Sequence, residues 1–418
     1  MWTIVRRKPL LFILLGAFAL RASAGVALQH HLDGLPGRHF LIEGDANGYW
    51  DLGEKIAAGR DYAIYEPPRR ILRMPGFPAM LALAIKTSQW FGIGGQSYLV
   101  ARLMLAIVGT LACGLVALLG TELFDRRIGL ISAAITAVLP TMVVFSVVLL
   151  SETLFAACLV ASLLVMAKFY KTQTAEGRTV EAIIWSALVG MTIALASYVR
   201  PTWLAAAPAF VVFCVVTSRR KKAAMLHGAI VLFTLALMLF PWAARNHQVS
   251  GHWVVTSLWA GPSLYDGLNP DATGDSNMQF FNDDDVMGEG MSEYEMNRHY
   301  THKAIKYAVE HPRRTAELSL LKLWRFWKPW PNAAQFDTWP ARLAIACSFV
   351  PLMVLAAFGC WTHRLNALRC LLTAGPALGF CIVHMVFVSS LRYRLPVEYP
   401  LYILASAGFV GWFGKENS

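Results

Sequence analysis

The sequence is short of charged side chains. Only 15% of its 418 residues are Asp, Glu, Lys or Arg, whereas 56% are hydrophobic. A soluble globular chain has about a quarter charged residues. This deficit excludes an ordinary water-soluble domain and predicts a chain that spans a lipid bilayer.

Paired cysteines are also missing. The chain has seven cysteines, all in or beside apolar segments, and no CxxC pair. This distribution supports neither a zinc site nor a framework of disulfides. The long polar segments contain no cysteine, so they do not depend on oxidative folding.

Features of nucleic-acid binding are absent despite a net charge of +11, from 37 Lys and Arg against 26 Asp and Glu. The basic residues occur in clusters between apolar runs, without the interleaved aromatics of RNA-binding modules. Basic clusters of this kind follow the positive-inside rule for cytoplasmic loops. We therefore expect membrane lipids as partners and no nucleic acid.

Long apolar runs are what the sequence does have. Each is close to the length that a helix needs to cross the hydrocarbon core, and only helices satisfy every backbone polar group there. The fold class predicted is all-α and polytopic, with about ten transmembrane helices. The runs lie at 9–28, 99–123, 128–149, 152–169, 182–199, 203–217, 225–243, 341–361, 369–389 and 399–413.

The basic clusters fall in alternate gaps between these runs, which places both termini in the cytoplasm of a cell with an inner membrane. The clusters are Arg6-Arg7-Lys8, Arg126-Arg127, Lys168 with Lys171, Arg219 to Lys222, His363-Arg364 with Arg369, and Lys415.

The first run also resembles a signal peptide, with Ala22-Ser23-Ala24 as a cleavage site. We interpret it as an uncleaved span because its apolar character continues to Leu28. Arg21 lies in its outer half, where we expect the side chain to extend toward the interface.

Two long polar segments, 29–98 and 244–340, then lie on the outer face. In the first, the apolar run from Phe77 to Phe91 is short and predicts a helix at the membrane interface. In the second, Ser292 and Glu295 have capping-box spacing and predict a helix over 293–311. A basic and aromatic helix is expected over 315–328.

Ionisable residues at span ends are candidates for function in a membrane protein. Glu43 and Asp45 follow the first span, and Glu152 occupies a short outer turn. A carboxylate held there can act as a general base. It can also bind a divalent cation through oxygen, so Glu43, Asp45 and Glu152 are the candidate metal ligands.

Arginines and tyrosines occupy the same outer face. Guanidinium groups bind phosphate in a bidentate manner. Each arginine taken alone also fits an interfacial anchor, but together with the carboxylates they suit a lipid phosphate and a base. The candidate donor-binding residues are Arg73, Arg200, Arg245, Arg392, Arg394, Tyr49 and Tyr393.

At these residues the chain resembles the GT-C glycosyltransferase superfamily, in the branch of dolichyl-phosphate-mannose protein mannosyltransferases and the lipid A aminoarabinose transferase. The matching segments occur in order along the chain. They are Asp45 to Tyr49, Arg73 to Pro78, Ala101-Arg102-Leu103, Ser151 to Phe155, Arg200-Pro201, Pro241 to Asn246, Asn269-Pro270 and Arg392 to Pro396.

The resemblance implies an inverting glycosyltransferase that uses a polyprenyl-phosphate sugar on the periplasmic face. Asp45 then occupies the position of the catalytic carboxylate, and Glu152 that of a second acidic group. The expected acceptor is a glycan, a lipid or a protein. A divalent metal, Mg²⁺ or Mn²⁺, is an open possibility because branches of the superfamily differ in metal dependence.

The sequence departs from protein mannosyltransferases in one motif. Those enzymes carry an adjacent Asp-Glu pair at the first site, whereas Ala46 follows Asp45 here. An envelope sugar transferase is therefore the preferred interpretation. We expect three parts: a membrane module over 1–245, an external segment over 246–340 and a three-span bundle over 341–418.

Three alternatives remain. An O-antigen polymerase or ligase also has many spans and external arginines. A transporter or flippase of lipid-linked sugars would show internal repeats and charges within several spans. A structural assembly subunit would tolerate the loss of Asp45, so substitution of that residue separates it from an enzyme.

Overall fold

The structure, a computed structural model, describes residues 8–174, 179–330 and 338–413. Within these ranges the chain is built from α-helices with two short 3₁₀ turns. Arg6, Arg7 and Lys415, which belong to the predicted orientation, lie outside the described residues. The helices are α1 Pro9–Asp33, α2 Asp45–Ala57, α3 Gly76–Trp90, α4 Ser97–Leu123, α5 Arg126–Val138, α6 Pro140–Phe145, α7 Glu152–Thr174, α8 Thr179–Val199, α9 Ala206–Thr217, α10 Lys221–Ser250, α11 Ala260–Gly267, α12 Gln279–Asp284, α13 Glu293–Glu310, α14 Pro312–Trp327, α15 Trp339–Thr362, α16 Ala367–Thr373, α17 Gly375–Val386 and α18 Leu391–Phe413.

The chain is an all-helical, multi-pass membrane protein. In the described part, six helices are long and apolar enough to cross a bilayer, and the pair α16 and α17, bent by 50°, makes a seventh if counted as one span. The predicted number of ten is not confirmed. Each predicted run does coincide with helix, but some of these helices are too short, broken or charged to qualify.

The run predicted over 128–149 is broken by Pro140. Proline disfavours helical backbone in the residue before it, and Leu139 accordingly has φ −59° and ψ 126°. Because Pro140 has no N–H, the carbonyl of Thr136 lacks its usual helical donor. The apolar run is therefore split into α5 and the short α6.

Arg21 supplies the missing donors, so the expectation that it extends to the interface is wrong. Its side chain is fully buried. The guanidinium donates to the carbonyl oxygens of Thr136 and Ala137, both at 2.8 Å. These are free carbonyls at the end of α5, where the helix dipole favours a cation.

The last helix, α18, is central to the membrane part. It packs along α15 at two glycines that allow the backbones to meet. A Cβ atom on Gly408 would lie 2.1 Å from the carbonyl oxygen of Leu355, and one on Gly359 would lie 2.1 Å from that of Leu404. Small residues give such close helix contacts in membranes.

The first external segment contains α2 and α3. The predicted helix over 77–91 is present as α3, which ends in the exposed Trp90. Its buried face, which includes Phe77 and Leu81, is turned toward α2 and α4. This packing holds the start of α2 near the ends of the membrane helices.

The second external segment is fastened to the first. The carboxylate of Glu293 accepts the backbone N–H groups of Arg70 and Ile71 at 2.9 and 3.1 Å. The capping box of Ser292 and Glu295 is present at the start of α13. The following helix begins at Pro312 rather than at the predicted 315, because proline suits the first position of a helix.

Candidate active site

Both candidate carboxylates begin helices. Asp45 is the first residue of α2 and follows Gly44, whose φ of +71° allows the chain to turn into the helix. Glu152 is the first residue of α7 and is fully buried. The positive end of a helix dipole stabilises a carboxylate at this position.

One arginine joins the two carboxylates. Arg392, in the first turn of α18, donates from one terminal nitrogen to Asp45 Oδ2 at 2.5 Å. Its Nε donates to Glu152 Oε1. Residues from the start and the end of the sequence therefore meet at a single guanidinium.

Two more arginines complete the arrangement. Arg73 donates to Asp45 Oδ1 at 2.7 Å, and Arg200 donates to Glu152 Oε1 at 2.7 Å. The order in space is Arg73, Asp45, Arg392, Glu152 and Arg200, and we call these five residues the ionic chain. Three positive and two negative groups give it a formal charge of +1.

Tyrosines and a serine border the ionic chain. The ring of Tyr49 lies 4.3 Å from the Arg73 guanidinium, and that of Tyr393 lies 5.7 Å from Arg392. Ser151 Oγ accepts from Arg200 Nε at 3.0 Å and lies 3.5 Å from the Tyr49 hydroxyl. These contacts fix the guanidinium planes.

The charges of the ionic chain hold Asp45 ionised. Burial raises the pKa of Asp45. The positive charges of Arg392 and Arg73 together lower it by more than burial raises it, so the pKa lies well below its usual range. Burial lowers the pKa of Arg73, and the Asp45 carboxylate more than reverses this. Asp45 is therefore a carboxylate at neutral pH.

Some hydrogen-bonding capacity is unused. Glu152 Oε2 and Arg73 Nε are buried without a hydrogen-bond partner. Asp45, in contrast, keeps about a third of its side chain exposed. The ionic chain can thus accept a polar ligand, and Asp45 is its most exposed member.

Two predicted donor-binding arginines lie elsewhere. Arg394 is buried and is held by Glu398 at 2.5 Å and by the carbonyl oxygen of Phe326. Arg245 donates to the carbonyl oxygen of Arg70 at 2.6 Å and so braces the first external segment. Neither contacts a member of the ionic chain.

The three candidate metal ligands are not arranged to bind a divalent metal. Glu43 is separate from the other two carboxylates and pairs loosely with Arg38, at 3.8 Å. Both Asp45 and Glu152 are already held by guanidinium groups, whose charge repels a cation. Among the described residues, no group of three or more His, Cys, Asp or Glu is placed to hold a metal ion.

An apolar cavity of about 580 Å³ opens beside the ionic chain. Arg392 and Tyr393 lie at its polar end, and the walls come from the first external segment, α6, α15 and the connection before α18. The lining residues are Leu41, Ile42, Pro140, Thr141, Val144, Phe145, Val148, Asp275, Ser276, Thr338, Ala341, Ala344, Ile345, Val388, Ser389, Ser390, Leu391, Arg392 and Tyr393.

Sequence reasoning missed the polar residues of this cavity. Asp275 and Ser276 lie in a polar, acidic stretch without helical or strand periodicity. Ser389 and Ser390 lie just before the motif from Arg392 to Pro396, in which the arginines are the candidate residues. Only the path of the chain brings the two pairs together. No signal in the sequence connects them.

The comparisons with known proteins agree with this architecture. Residues 75–244 match the family model described as dolichyl-phosphate-mannose-protein mannosyltransferase. No curated protein matches the chain significantly. The matched segment includes α3 to α9 and most of α10, and it contains Glu152 and Arg200.

Solved structures with a similar fold include the oligosaccharyltransferase AglB of Archaeoglobus fulgidus with an inhibitory peptide and a dolichol-phosphate. Its TM-score is 0.63 at 15% identity, over 98% of this chain and 51% of that one. The apo oligosaccharyltransferase of the same organism gives 0.60 at 16% identity, over 97% and 51%. The chain therefore spans about half the length of these structures.

A third structure is ArnT of Cupriavidus metallidurans bound to undecaprenyl phosphate, with a TM-score of 0.44 at 14% identity, over 97% of this chain and 77% of that one. The family model and the AglB fold bear out the resemblance drawn from the sequence motifs.

Proposed function

We propose that this chain, a membrane protein of the GT-C superfamily, transfers a sugar from a polyprenyl-phosphate donor to an acceptor hydroxyl or amide. The observation that carries the proposal is the position of Arg392. It holds Asp45 and Glu152 on one side and lines the apolar cavity on the other. A carboxylate, a cation and a site for an apolar chain therefore meet at one residue.

The carrier lipid binds in the cavity. Its walls are made of Leu, Ile, Val, Ala and Phe side chains, which suit prenyl groups through the hydrophobic effect. The phosphate then lies at the polar end beside Arg392. The ionic chain has a formal charge of +1, so an anion is attracted to it.

Transfer occurs by a single displacement. Asp45 accepts the proton of the acceptor group, whose oxygen or nitrogen attacks the anomeric carbon from the face opposite the phosphate. The bond between that carbon and the phosphate oxygen breaks, and the lipid phosphate leaves with the electron pair. Attack from the opposite face inverts the anomeric configuration.

Arginines stabilise the leaving group. The departing phosphate monoester gains negative charge in the transition state, and guanidinium groups already positioned there lower the barrier. Arg392 and Arg73 are the members that also contact Asp45. No step requires a metal ion, since these arginines supply the positive charge.

The donor phosphate also controls the strength of the base. With both carboxylate oxygens held by guanidinium groups, Asp45 is a weak base before substrate binds. A bound phosphate competes for Arg392 and Arg73 and partly neutralises them. The pKa of Asp45 then rises, so the base becomes effective only when the donor is present.

The site faces the periplasm. Glu152 begins α7, while Lys168 and Lys171 lie near the other end of this helix and pair with Glu122 at 3.4 and 2.7 Å. Basic residues at membrane surfaces mark the cytoplasmic side. The ionic chain is therefore at the opposite, periplasmic end, with both termini in the cytoplasm.

Sugar transfer by purified protein tests the proposal. Wild type, Asp45→Asn and Asp51→Asn are assayed with radiolabelled polyprenyl-phosphate sugars in membranes that supply acceptors. Asp51 is the matched control because it lies on the same helix and is paired with Lys55, at 3.1 Å, away from the ionic chain. We expect transfer by wild type and Asp51→Asn, and a loss of at least 100-fold in Asp45→Asn.

Other outcomes contradict parts of the proposal. Full transfer by Asp45→Asn removes this residue as the base and leaves Glu152 as the remaining carboxylate. If wild type neither transfers sugar nor binds the donor, the proposed glycosyltransferase activity is wrong, and a transporter or an assembly subunit is favoured. Thermal melts of all three proteins establish that folding is equal.

A further inference from the structure

The polar end of the cavity contains a hydroxyl that has no partner. Ser389 lines the cavity and is only 1% exposed, and its Oγ makes no hydrogen bond. Buried polar groups in native proteins are nearly always satisfied. A ligand in the cavity is therefore the expected partner of this hydroxyl.

A rigid loop from the second external segment lies beside it. Ser276 Oγ and the backbone N–H of Asn277 both donate to the carboxylate of the buried Asp266, at 2.7 and 2.8 Å. The N–H of Ser389 donates to the carbonyl oxygen of Gly274 at 3.3 Å. The loop is thus fixed against the connection that leads to Arg392.

Asp275 projects from this loop into the cavity lining. Its Oδ2 lies 2.8 Å from Arg325, its Oδ1 accepts the backbone N–H of Ser276 at 3.1 Å, and about half of the side chain stays exposed. Each carboxylate oxygen accepts at two positions, so Asp275 keeps one position on each oxygen for a further donor. A carboxylate with this capacity can accept two adjacent hydroxyl groups.

The charges at this end decide the kind of group that fits. Among the described lining residues, Asp275 and Arg392 are the charged ones. Arg392 is engaged by the ionic chain and, in the proposed function, by the phosphate. What is left is the Asp275 carboxylate, already paired with Arg325, and the hydroxyls of Ser389 and Ser390. This set suits neutral hydroxyl groups and offers an acidic sugar no unpaired positive charge.

We infer that Asp275 and Ser389 form the subsite for the sugar of the donor, and that this sugar is neutral with adjacent free hydroxyls. The inference rests on the proposed function, because it assumes that the phosphate lies at Arg392. The prenyl chain occupies the apolar walls, and the sugar lies at the polar end between Asp275 and Ser389.

Two variants test the subsite, Asp275→Asn and Ser389→Ala. Asp61→Asn is the matched control, since Asp61 is a similarly exposed aspartate that pairs with Arg70 at the same distance of 2.8 Å but does not line the cavity. Ser389→Ala removes no hydrogen bond of the protein, so its melting temperature should match that of wild type.

The measurements are binding of bare undecaprenyl phosphate, binding of polyprenyl-phosphate hexoses, and kcat/KM for transfer. We expect binding of the bare carrier to stay within about twofold in all proteins. Donor affinity and kcat/KM should fall about 10- to 100-fold in Asp275→Asn and about 3- to 10-fold in Ser389→Ala, with no change in Asp61→Asn.

The inference is overturned if both variants keep the wild-type preference for the donor over the bare carrier. Tighter binding of a donor that carries a uronic acid than of a neutral hexose donor also overturns it. If wild type transfers no sugar, the proposed function fails by itself. The subsite is then tested by binding alone. It is supported if wild type binds the donor more tightly than the bare carrier and Asp275→Asn does not, and it is contradicted otherwise.

Discussion

Asp45 and Glu152 share one guanidinium, that of Arg392, although they begin two different helices. The two carboxylates are not equivalent in this arrangement. Asp45 keeps part of its side chain exposed, whereas Glu152 is fully buried. Asp45 is thus placed to meet an external acceptor, and Glu152 to fix the arginines that flank it.

Arg392→Lys should abolish most of the activity while keeping a positive charge. A lysine has one nitrogen at the end of a flexible chain and cannot reach both carboxylates in the fixed geometry of a guanidinium. We expect transfer to fall at least 100-fold and the melting temperature to drop, because Glu152 is left in a poorer buried pair. The control is Arg313→Lys, at the exposed pair with Glu317, which should change neither quantity.

Glu152→Gln should separate carrier binding from transfer. The substitution keeps the shape of the side chain but raises the formal charge of the ionic chain from +1 to +2. Bare undecaprenyl phosphate should therefore bind more tightly, while transfer falls because Arg392 and Arg200 lose their fixed partner. Unchanged or weaker carrier binding would contradict this electrostatic role. Glu122→Gln serves as the control, because Glu122 of α4 pairs with Lys168 and Lys171 near the other end of α7.

The pH dependence of transfer should reveal Asp45 only after an arginine is removed. Arg392 and Arg73 hold the pKa of Asp45 well below its usual range, so wild type should show no loss of kcat/KM from Asp45 titration between pH 8 and pH 5. Removing Arg73 takes away part of the positive charge that lowers the pKa of Asp45, while Arg392 and the opposing effect of burial remain, so the pKa rises. Arg73→Gln should therefore lose activity progressively as the pH falls toward 5, in addition to a lower plateau.

The same shift has a consequence for stability. A carboxyl whose pKa is lower in the folded state stabilises the fold above its usual pKa and loses this contribution as the pH falls below it. The melting temperature of wild type should thus fall when the pH is lowered below about 4. A fall in the wild-type melting temperature near pH 6 that is absent from Asp45→Asn would contradict a lowered pKa for Asp45.

Gly408→Ala should destabilise the membrane part without touching the site. The added Cβ would lie 2.1 Å from the carbonyl oxygen of Leu355, so α18 and α15 must separate. Overpacking of this kind costs about 1–3 kcal/mol, and we expect a clear fall in melting temperature. Gly16→Ala, where a Cβ meets nothing within 4 Å, should keep or raise it.

The sequence predicted the helical membrane fold and the capping box of Ser292 and Glu295 because both depend on local patterns. It also placed Asp45, Glu152 and several arginines on one face through the positive-inside rule. What it could not supply was the partner of each charge. That depends on how distant helices rotate and pack, which no local pattern encodes.

The pair Arg392 and Arg394 illustrates the difference. The two residues are two positions apart on a helix, so their side chains are separated by a rotation of about 200° around the helix axis. Only one can face Asp45, and the other is turned to Glu398 and Phe326. The motif contains both arginines, but the rotation of α18 selects Arg392.

Arg392 belongs to α18, which leaves the ribosome after the segments that carry Asp45 and Glu152. Until α18 is inserted, Glu152 has only Arg200 as a charged partner at the end of α7. The ionic chain therefore closes only once α18 is in place, and its closure joins α2 and α7 through a residue far from both in sequence. Before α18 is in place, Asp45 is paired with Arg73 and Glu152 with Arg200, and it is Arg392 that makes these two separate ion pairs into one site.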